Sequence, residues 1–218
     1  MLAYEKQTLG FFITKHPLTQ HEALVRNFST TDTAGLKQLG DNNRVIVGGL
    51  ISRLRTVPIR TGRNAGKKML IVTLEDFAGG IEATVFSEHL AELQPFLRPD
   101  AVVFIDGTVD RRREEPSIRV NAVIPIEMAR QQLTRRLLLR VSSAAAPETL
   151  PRVRELVRRH RGRCELLLQV PTPDGWFATV RAADTPVEPN DELLGALVAV
   201  EGVSGVYCRG ARGVVACA

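Results

Sequence analysis

Two pairs of carboxylates are the residues of this sequence that could support metal-assisted catalysis. Asp106 and Asp110 lie four apart on one side of a predicted strand, and Glu75 and Asp76 end another apolar run. Paired carboxylates can hold the ions that assist phosphoryl transfer. Residues four apart on one strand are separated by about 13 Å, too far to share one ion. We therefore interpret the first pair as a charged strand end and the second as turn residues.

Other catalytic motifs are absent from the sequence. It contains no nucleophile elbow, zinc-protease motif, phosphate-binding loop or dinucleotide fingerprint. The histidines occur singly, at His16, His21, His89 and His160. The cysteines are far apart in sequence and form no CxxC pair, at Cys164, Cys208 and Cys217. We predict no catalytic residue, metal site, cofactor or disulfide framework.

Positive charge is concentrated in one block of the chain. Residues 130–163 contain ten arginines and two glutamates, whereas residues 164–218 contain three arginines and seven carboxylates. Such a block is typical of proteins that bind a polyanion or an acidic partner, and it fits a solvated basic face equally well. No window is apolar enough to span a membrane, and Glu5 and Lys6 interrupt the N-terminal apolar pattern. We expect a reduced, cytoplasmic protein.

The patterning divides the chain into three segments. Residues 1–43 predict a helical lead-in, with one helix from Leu2 to Ile13 that Pro17 ends and a second helix over about 19–27. Residues 44–126 predict strands, and residues 127–218 predict an α+β domain. The fold class is therefore mixed.

Residues 44–126 predict a five-stranded OB-fold β-barrel. The order is three strands, a helix and two strands, which is the order of that fold; a generic small barrel is the alternative. Gly48 and Gly49 predict a bend in the long first strand. DFAGG predicts a hairpin turn, and SEHLAELQPFL predicts a helix with Ser87 as its N-cap.

The C-terminal segment predicts an arginine-rich amphipathic helix over 147–160. Its apolar stripe comprises Leu150, Val153, Leu156 and Val157. The arginines outside the stripe are candidates for partner binding: Arg152, Arg154, Arg158 and Arg159. A hairpin is predicted across 172–175, with Trp176 packed against it in preference to a role as a partner anchor. A helix from Asn190 and a final strand pair complete the domain.

Candidate nucleic-acid contacts lie in two loops, because OB-folds bind through strands two and three and through the loops joining strands one to two and four to five. The first loop contains Arg60, Arg63, Lys67 and Lys68, and the second contains Arg111, Arg112 and Arg113. Phe86 is the candidate stacking residue. With so few aromatics, we predict weak, sequence-tolerant binding of single-stranded DNA; a basic rim without a ligand is the alternative.

The segment EKQTLGFFITKHPL resembles the box EKxxLGFYxSGHPL, which precedes the OB domain in the alpha subunit of bacterial DNA polymerase III. The stretch VGGLISRLRT and the segment GKKMLIVTLEDFAGGIEATVFSE also resemble that subunit, as does the ending VEPNDELLGALVAVEG. Phe12 replaces a common tyrosine, and Thr14-Lys15 replaces Ser-Gly. The resemblance spans nearly the whole chain but only the C-terminal fifth of such a subunit.

The resemblance implies that this chain is part of a replicative polymerase. In that family the OB domain lies near the single-stranded template, the C-terminal domain contacts the tau subunit of the clamp loader, and the catalytic aspartates lie far upstream in a palm domain. It predicts either an excised fragment or a split gene product, with upstream polymerase domains as further partners. Two other functions stay open: an RNA-binding OB domain of the aminoacyl-tRNA synthetase type, and an adaptor that binds protein alone.

Overall fold

A computed structural model describes residues 17–60, 65–112 and 114–217. The predicted helix from Leu2 to Ile13 therefore lies outside the described residues. The chain forms two compact units, the first ending at Ile126 and the second beginning at Glu127. Within the described residues, no helix has the length and apolar character needed to cross a bilayer.

Short helices precede the barrel in the first unit. They are a 3-10 helix at Pro17–His21, α1 at Glu22–Phe28 and α2 at Thr33–Leu36. The predicted helix over about 19–27 corresponds to the first two. The sequence pattern missed α2, a single turn that begins where the side chain of Asp32 accepts a hydrogen bond from the Gly35 amide, 2.8 Å away. A capping bond of this kind satisfies an amide that otherwise has no partner inside the helix.

Five strands form the closed barrel in the order β1-β2-β3-β5-β4, which confirms the predicted OB-fold. They are β1 Arg44–Pro58, β2 Lys68–Glu75, β3 Gly80–Val85, β4 Val102–Asp110 and β5 Ser117–Pro125. The core comprises inward-facing residues of these strands, such as Val72, Leu74 and Ile105. Alternate residues of each strand face the core, and β4 is buried along nearly its whole length.

The first strand, β1, pairs with a strand on each of its two sides. Its first part pairs with β4 up to Leu50, and from Leu50 onward it pairs with β2. A Cβ atom on Gly49 would lie 2.5 Å from the carbonyl oxygen of Glu75, so only glycine permits this close approach. The register shift falls between Ile51 and Arg53, just beyond the predicted glycine bend.

Helix α3, Ser87–Leu93, lies between β3 and β4 in the chain, and its residue Leu93 is buried in the barrel core. The prediction that Ser87 caps this helix was wrong. Phe86 occupies the N-cap position in extended geometry, and Ser87 is already helical. Among the described residues, the buried Oγ of Ser87 has no hydrogen-bond partner. The pattern located the helix correctly but placed its start one residue late.

The second unit contains a five-stranded mixed sheet in the order β10-β9-β6-β7-β8. Its strands are β6 Arg136–Val141, β7 Arg161–Pro171, β8 Phe177–Arg181, β9 Val203–Arg209 and β10 Val214–Ala216. Its helices are α4 Ala129–Leu133, α5 Thr149–Arg159 and α6 Asp191–Val198. Parallel strands β6 and β7 are joined through α5, and β7 and β8 form the predicted hairpin.

Three apolar side chains of this unit are less buried than the pattern suggested. Leu150 is 44% exposed, and Leu156 is half-buried, whereas Val153 and Val157 are fully buried. At about 100° per residue, Leu156 lies on the flank of the stripe, and Leu150 lies in the first turn. Trp176 is 74% exposed, so the prediction that it packs against the hairpin was wrong. The periodicity of apolar residues predicts which face of an element is buried, but it does not show where the elements that cover this face end.

Two of the three cysteines are neighbours in space although they are nine residues apart in the sequence. The Sγ atoms of Cys208 and Cys217 lie 3.1 Å apart and are buried, because β9 and β10 are neighbouring strands. The hydrogen bond from Cys217 lowers the pKa of Cys208, whereas the same bond and burial raise the pKa of Cys217. Burial raises the pKa of Cys164 to about 12. The spacing of the cysteines in the sequence did not show this proximity of Cys208 and Cys217.

Candidate nucleic-acid interface

Two loops of the barrel lead into the two strands that flank β3. The β1–β2 loop leads into β2, where Leu70 pairs with Val85 at the end of β3. The β4–β5 loop leads into β5, where Arg119 pairs with Thr84 on β3. The two basic loops that the sequence singled out therefore flank the same strand. Arg63 and Arg113 lie outside the described residues.

A row of paired residues crosses the outer face of the barrel between these loops. Consecutive partners across β1, β2, β3 and β5 are Arg55, Ile71, Thr84 and Arg119. Arg53 shares the side of Arg55, because alternate residues of a strand face the same way. The sequence analysis missed Arg53, Arg55 and Arg119, although the alternation of Arg53 and Arg55 about Leu54 was a readable signal for two of them.

The first loop presents exposed cations at the edge of this face. Arg60, Lys67 and Lys68 are all exposed. The loop is closed at its base, where the Ile59 amide donates to the Lys67 carbonyl at 2.8 Å and the Gly66 amide donates to the Ile59 carbonyl at 2.9 Å. Gly66 adopts φ +85°, which a glycine accommodates without strain. The cations are therefore carried on a loop with a fixed base.

The arginines of the second loop are held by protein groups. The guanidinium of Arg111 donates to the Lys37 carbonyl at 2.6 Å. The guanidinium of Arg112 donates to the carboxylate of Asp110 at 2.5–3.0 Å. This bond lowers the pKa of Asp110 to about 2. The loop is thus ordered by its arginines, and Asp110 neutralises part of its positive charge.

Aromatic groups are sparse at this face. Phe86 is half-buried at the end of β3, on the side of Glu82 and Thr84. Glu82 also lies on this face, 3.6 Å from Arg55. Phe104, by contrast, is fully buried and packs edge-to-face on Phe28. The face therefore presents cationic and hydroxyl side chains and one partly accessible aromatic ring, that of Phe86.

Comparison with known proteins agrees with this geometry. Residues 45–126 match a family described as an OB-fold nucleic acid binding domain, of the tRNA anti-codon type. The DNA polymerase III subunit alpha of Pseudomonas aeruginosa is 34% identical over 196 residues, which is 88% of this chain and 16% of that subunit. The Pseudomonas fluorescens subunit is 31% identical over the same length. The Bacillus subtilis subunit is 26% identical over 171 residues, 77% of this chain and 15% of that subunit.

This chain is homologous to a segment of the DNA polymerase III alpha subunit. It spans about one sixth of the length of the relatives from Pseudomonas, 16% in each case. These 218 residues therefore correspond to a small part of a long subunit and lack its catalytic domain.

The carboxylates of this polymerase segment serve structural roles. Asp106 accepts two hydrogen bonds from Arg44, at 2.8 and 3.2 Å, and Asp110 is paired with Arg112. In the described part of the chain, no group of three or more His, Cys, Asp or Glu side chains could hold a metal ion. Each carboxylate of the possible catalytic pair is thus paired with an arginine.

The turn between β2 and β3 is organised by Asp76. Its carboxylate accepts hydrogen bonds from the amides of Ala78 and Gly79, at 2.7 and 3.1 Å. It also accepts from the amide and hydroxyl of Thr33 in α2, at 2.7 and 2.6 Å. The interpretation of Asp76 as a turn residue is confirmed, and its link to α2 is an additional structural role.

The arginine-rich helix α5 of the second unit presents a basic and partly apolar surface. Arg152, Arg154, Arg158 and Arg159 are all exposed. Arg159 pairs with Glu155 one turn earlier. A shallow groove is lined by Leu150, Pro151, Arg154, Glu155, Arg158 and Arg159. This surface, which we term the α5 groove, combines an exposed leucine with guanidinium groups.

Proposed function

We propose that this polymerase segment binds single-stranded DNA on the outer face of its barrel. The observation that carries the proposal is the row from Arg55 to Arg119, with a basic loop leading into the strand on each side of β3. OB-folds bind oligonucleotides at this face. The proposed contacts are Arg53, Arg55, Arg60, Arg63, Lys67, Lys68, Phe86, Arg111, Arg112, Arg113 and Arg119.

The proposed mode is electrostatic and tolerant of sequence, because the face is rich in cations and poor in rings. Each phosphate contact to a single strand contributes about −0.7 to the slope of log affinity against log salt. Three to five contacts would give a slope of roughly −2 to −3.5. A flat slope with binding retained would show that stacking or base reading dominates, and would contradict this mode.

The test compares two charge reversals of equal size by fluorescence anisotropy with a labelled oligonucleotide. Arg60→Glu with Lys68→Glu should weaken binding and reduce the magnitude of the salt slope by about 1.4, roughly 0.7 for each lost contact. Arg152→Glu with Arg154→Glu, on α5, changes the net charge equally and should leave affinity nearly unchanged. Equal losses in both variants would mean that only net charge matters, and the proposed face would be wrong.

A second candidate ligand is transfer RNA, because the family that matches residues 45–126 is of the tRNA anti-codon type. Competition between unlabelled single-stranded DNA and transfer RNA for the labelled oligonucleotide separates the two. We expect DNA of matched length to compete at least as well. Much stronger competition by transfer RNA would support a translation role, and failure of both would favour a protein-only adaptor.

We also propose that the α5 groove binds an acidic segment of a replisome protein. The four exposed arginines supply charge complementarity, and Leu150 supplies an apolar contact of the kind found in protein interfaces. The tau subunit of the clamp loader is the candidate that the family resemblance supplies. Arg154→Glu with Arg158→Glu should abolish capture of purified tau, whereas Arg60→Glu with Lys68→Glu should not. The reverse result would place the partner on the barrel.

The segment is expected to bind a primed template without extending it. Two-metal nucleotidyl transfer needs carboxylates converging on ions about 3.5–4 Å apart, and Asp106 and Asp110 are paired with arginines instead. The assay supplies primed DNA, magnesium and all four deoxynucleotides. Extension that disappears in Asp106→Asn would overturn the expectation.

A further inference from the structure

One face of the sheet in the second unit is left open. Alternate residues Leu137 and Leu139 of β6 are fully buried, as are Val206 and Cys208 of β9. The residues between them face the other way and are exposed or half-exposed. We term this the open face, and it comprises Arg136, Arg140, Phe177, Arg181, Tyr207 and Arg209.

The strand registers place these residues side by side. Arg136 of β6 pairs with Arg209 of β9 and with Glu165 of β7. Arg140 of β6 pairs with Gly205, two residues before Tyr207. The open face is thus a continuous surface across four strands, which no short segment of sequence would show.

Its centre is a stack of planar groups. The guanidinium carbon of Arg140 lies 5.1 Å from the ring centroid of Phe177 and 5.4 Å from that of Tyr207. The Nε of Arg140 donates to the side-chain carbonyl of Gln169 at 3.1 Å, which fixes the plane of the guanidinium. A Cβ on Gly205 would lie 2.5–2.7 Å from Tyr207 side-chain atoms, so the missing side chain makes room for the ring.

The open face is also positively charged. It carries four arginines, and the carboxylate that the described strands place on it is Glu165. Glu165 is shared between Arg136, at 2.6 Å, and Arg181, at 3.6 Å. Four positive charges against one negative charge leave +3. An acidic ligand is therefore favoured electrostatically.

We propose that the open face is a second binding site for single-stranded DNA, separate from the barrel face. Bases stack on aromatic rings and on guanidinium planes without regard to sequence, and arginines beside the rings contact phosphates. Phe177 is 47% exposed, and its ring offers the accessible stacking surface. In duplex DNA the base faces are already stacked on one another, so the site selects single strands.

The experiment uses the full chain and a single-stranded oligonucleotide that contains 5-iododeoxyuridine, which cross-links to aromatic side chains on irradiation. After trypsin, Phe177 lies in the peptide 164–181 and Tyr207 in the peptide 182–209. We expect cross-links at Phe177 or Tyr207 in addition to cross-links in the barrel. Cross-links confined to residues 44–126 would overturn the proposal without affecting the barrel site, and the opposite pattern would overturn the barrel site alone.

Affinity measurements supply a second readout. Phe177→Ala should weaken binding about fivefold or more, the usual effect of removing one stacking ring. Arg140→Lys keeps the charge but removes the planar group, and should weaken binding as well. The matched control is Val180→Ala, on the same strand with the opposite parity and 49% exposed, which should leave affinity unchanged. Unchanged affinity in both test variants would contradict the proposal.

Discussion

The barrel and helix α5 pair their arginines with carboxylates of different exposure. In the barrel unit, Arg44 lies 2.8 Å from Asp106, and both Arg112 and Arg119 lie within 4 Å of Asp110. Both carboxylates have side chains that are only 12% exposed. On α5 of the second unit, the arginines are exposed, and the ion pair between Arg159 and Glu155 joins two solvated groups. A count of basic residues therefore overstates the charge available on the barrel more than on α5.

The difference arises from how each element brings charges together. Arg44 and Asp106 are 62 residues apart, and pairing of β1 with β4 makes them neighbours. A helix offers its residues only partners three or four positions away, which is the case for Glu155 and Arg159. The barrel thus pairs some of its exposed arginines with poorly exposed carboxylates, and α5 pairs Arg159 with a solvated one.

The largest predicted effects concern the core of each unit. Phe104→Ala removes a fully buried ring packed at 6.4 Å on Phe28, and should lower the free energy of unfolding by about 3–5 kcal/mol. Leu139→Ala, fully buried in the second unit, should lower it by about 2–5 kcal/mol. Hydrogen exchange should report the loss within the mutated unit. A loss below about 1 kcal/mol would mean that the site collapses around the truncation.

The two hairpin turns should respond differently to loss of an aspartate. Asp76→Ala in the barrel leaves up to four donors without their acceptor and should cost about 1–3 kcal/mol. Asp174→Ala, in the exposed turn between β7 and β8, should change stability by less than about 0.5 kcal/mol. Urea unfolding of both variants measures the contrast. Equal costs would show that the contacts of Asp76 with Thr33 add nothing.

The loss of stability on truncating side chains along α5 should follow their burial in the structure and not their place in the predicted apolar stripe. Val157→Ala removes a buried side chain and should cost about 2 kcal/mol. Leu156→Ala should cost about 1 kcal/mol, since half the side chain is already in water, and Leu150→Ala should cost less than about 0.5 kcal/mol. Chemical unfolding ranks the three variants. A large cost for Leu150→Ala would show that another element covers the first turn in solution.

The last prediction is a pH dependence in the barrel. The pKa of Asp110 is about 2 in the folded protein, against about 3.9 in an unfolded chain. Its interaction with Arg112 therefore stabilises the fold above about pH 4, and this contribution is lost as the pH falls toward 2. In Asp110→Asn, the free energy of unfolding should depend less on pH across that window. Glu155→Gln on α5 should not change the dependence, because exposed pairs contribute little. An unchanged profile in Asp110→Asn would contradict the prediction.

The sequence by itself determined most of the elements and their order. An apolar run defined β2 and alternating residues defined β3. Asn190 caps α6, the helix that was predicted to begin there, and Asp76 was correctly placed in a turn. These features depend on contacts within a few residues, so local pattern is sufficient to predict them. The order of three strands, a helix and two strands then identified the barrel, because few folds share it.

Only the tertiary structure decided which groups meet. Arg53, Arg55 and Arg119 join one outer face through strand register, and Arg111, in the loop that was predicted to bind nucleic acid, is held by the carbonyl of Lys37, 74 residues away in sequence. Cys208 and Cys217 become neighbours through the pairing of β9 and β10. Periodicity fixes the side of a strand on which a residue lies, but it contains no information about the neighbouring strand. Register and barrel closure supply that information, and they depend on contacts between residues far apart in the chain.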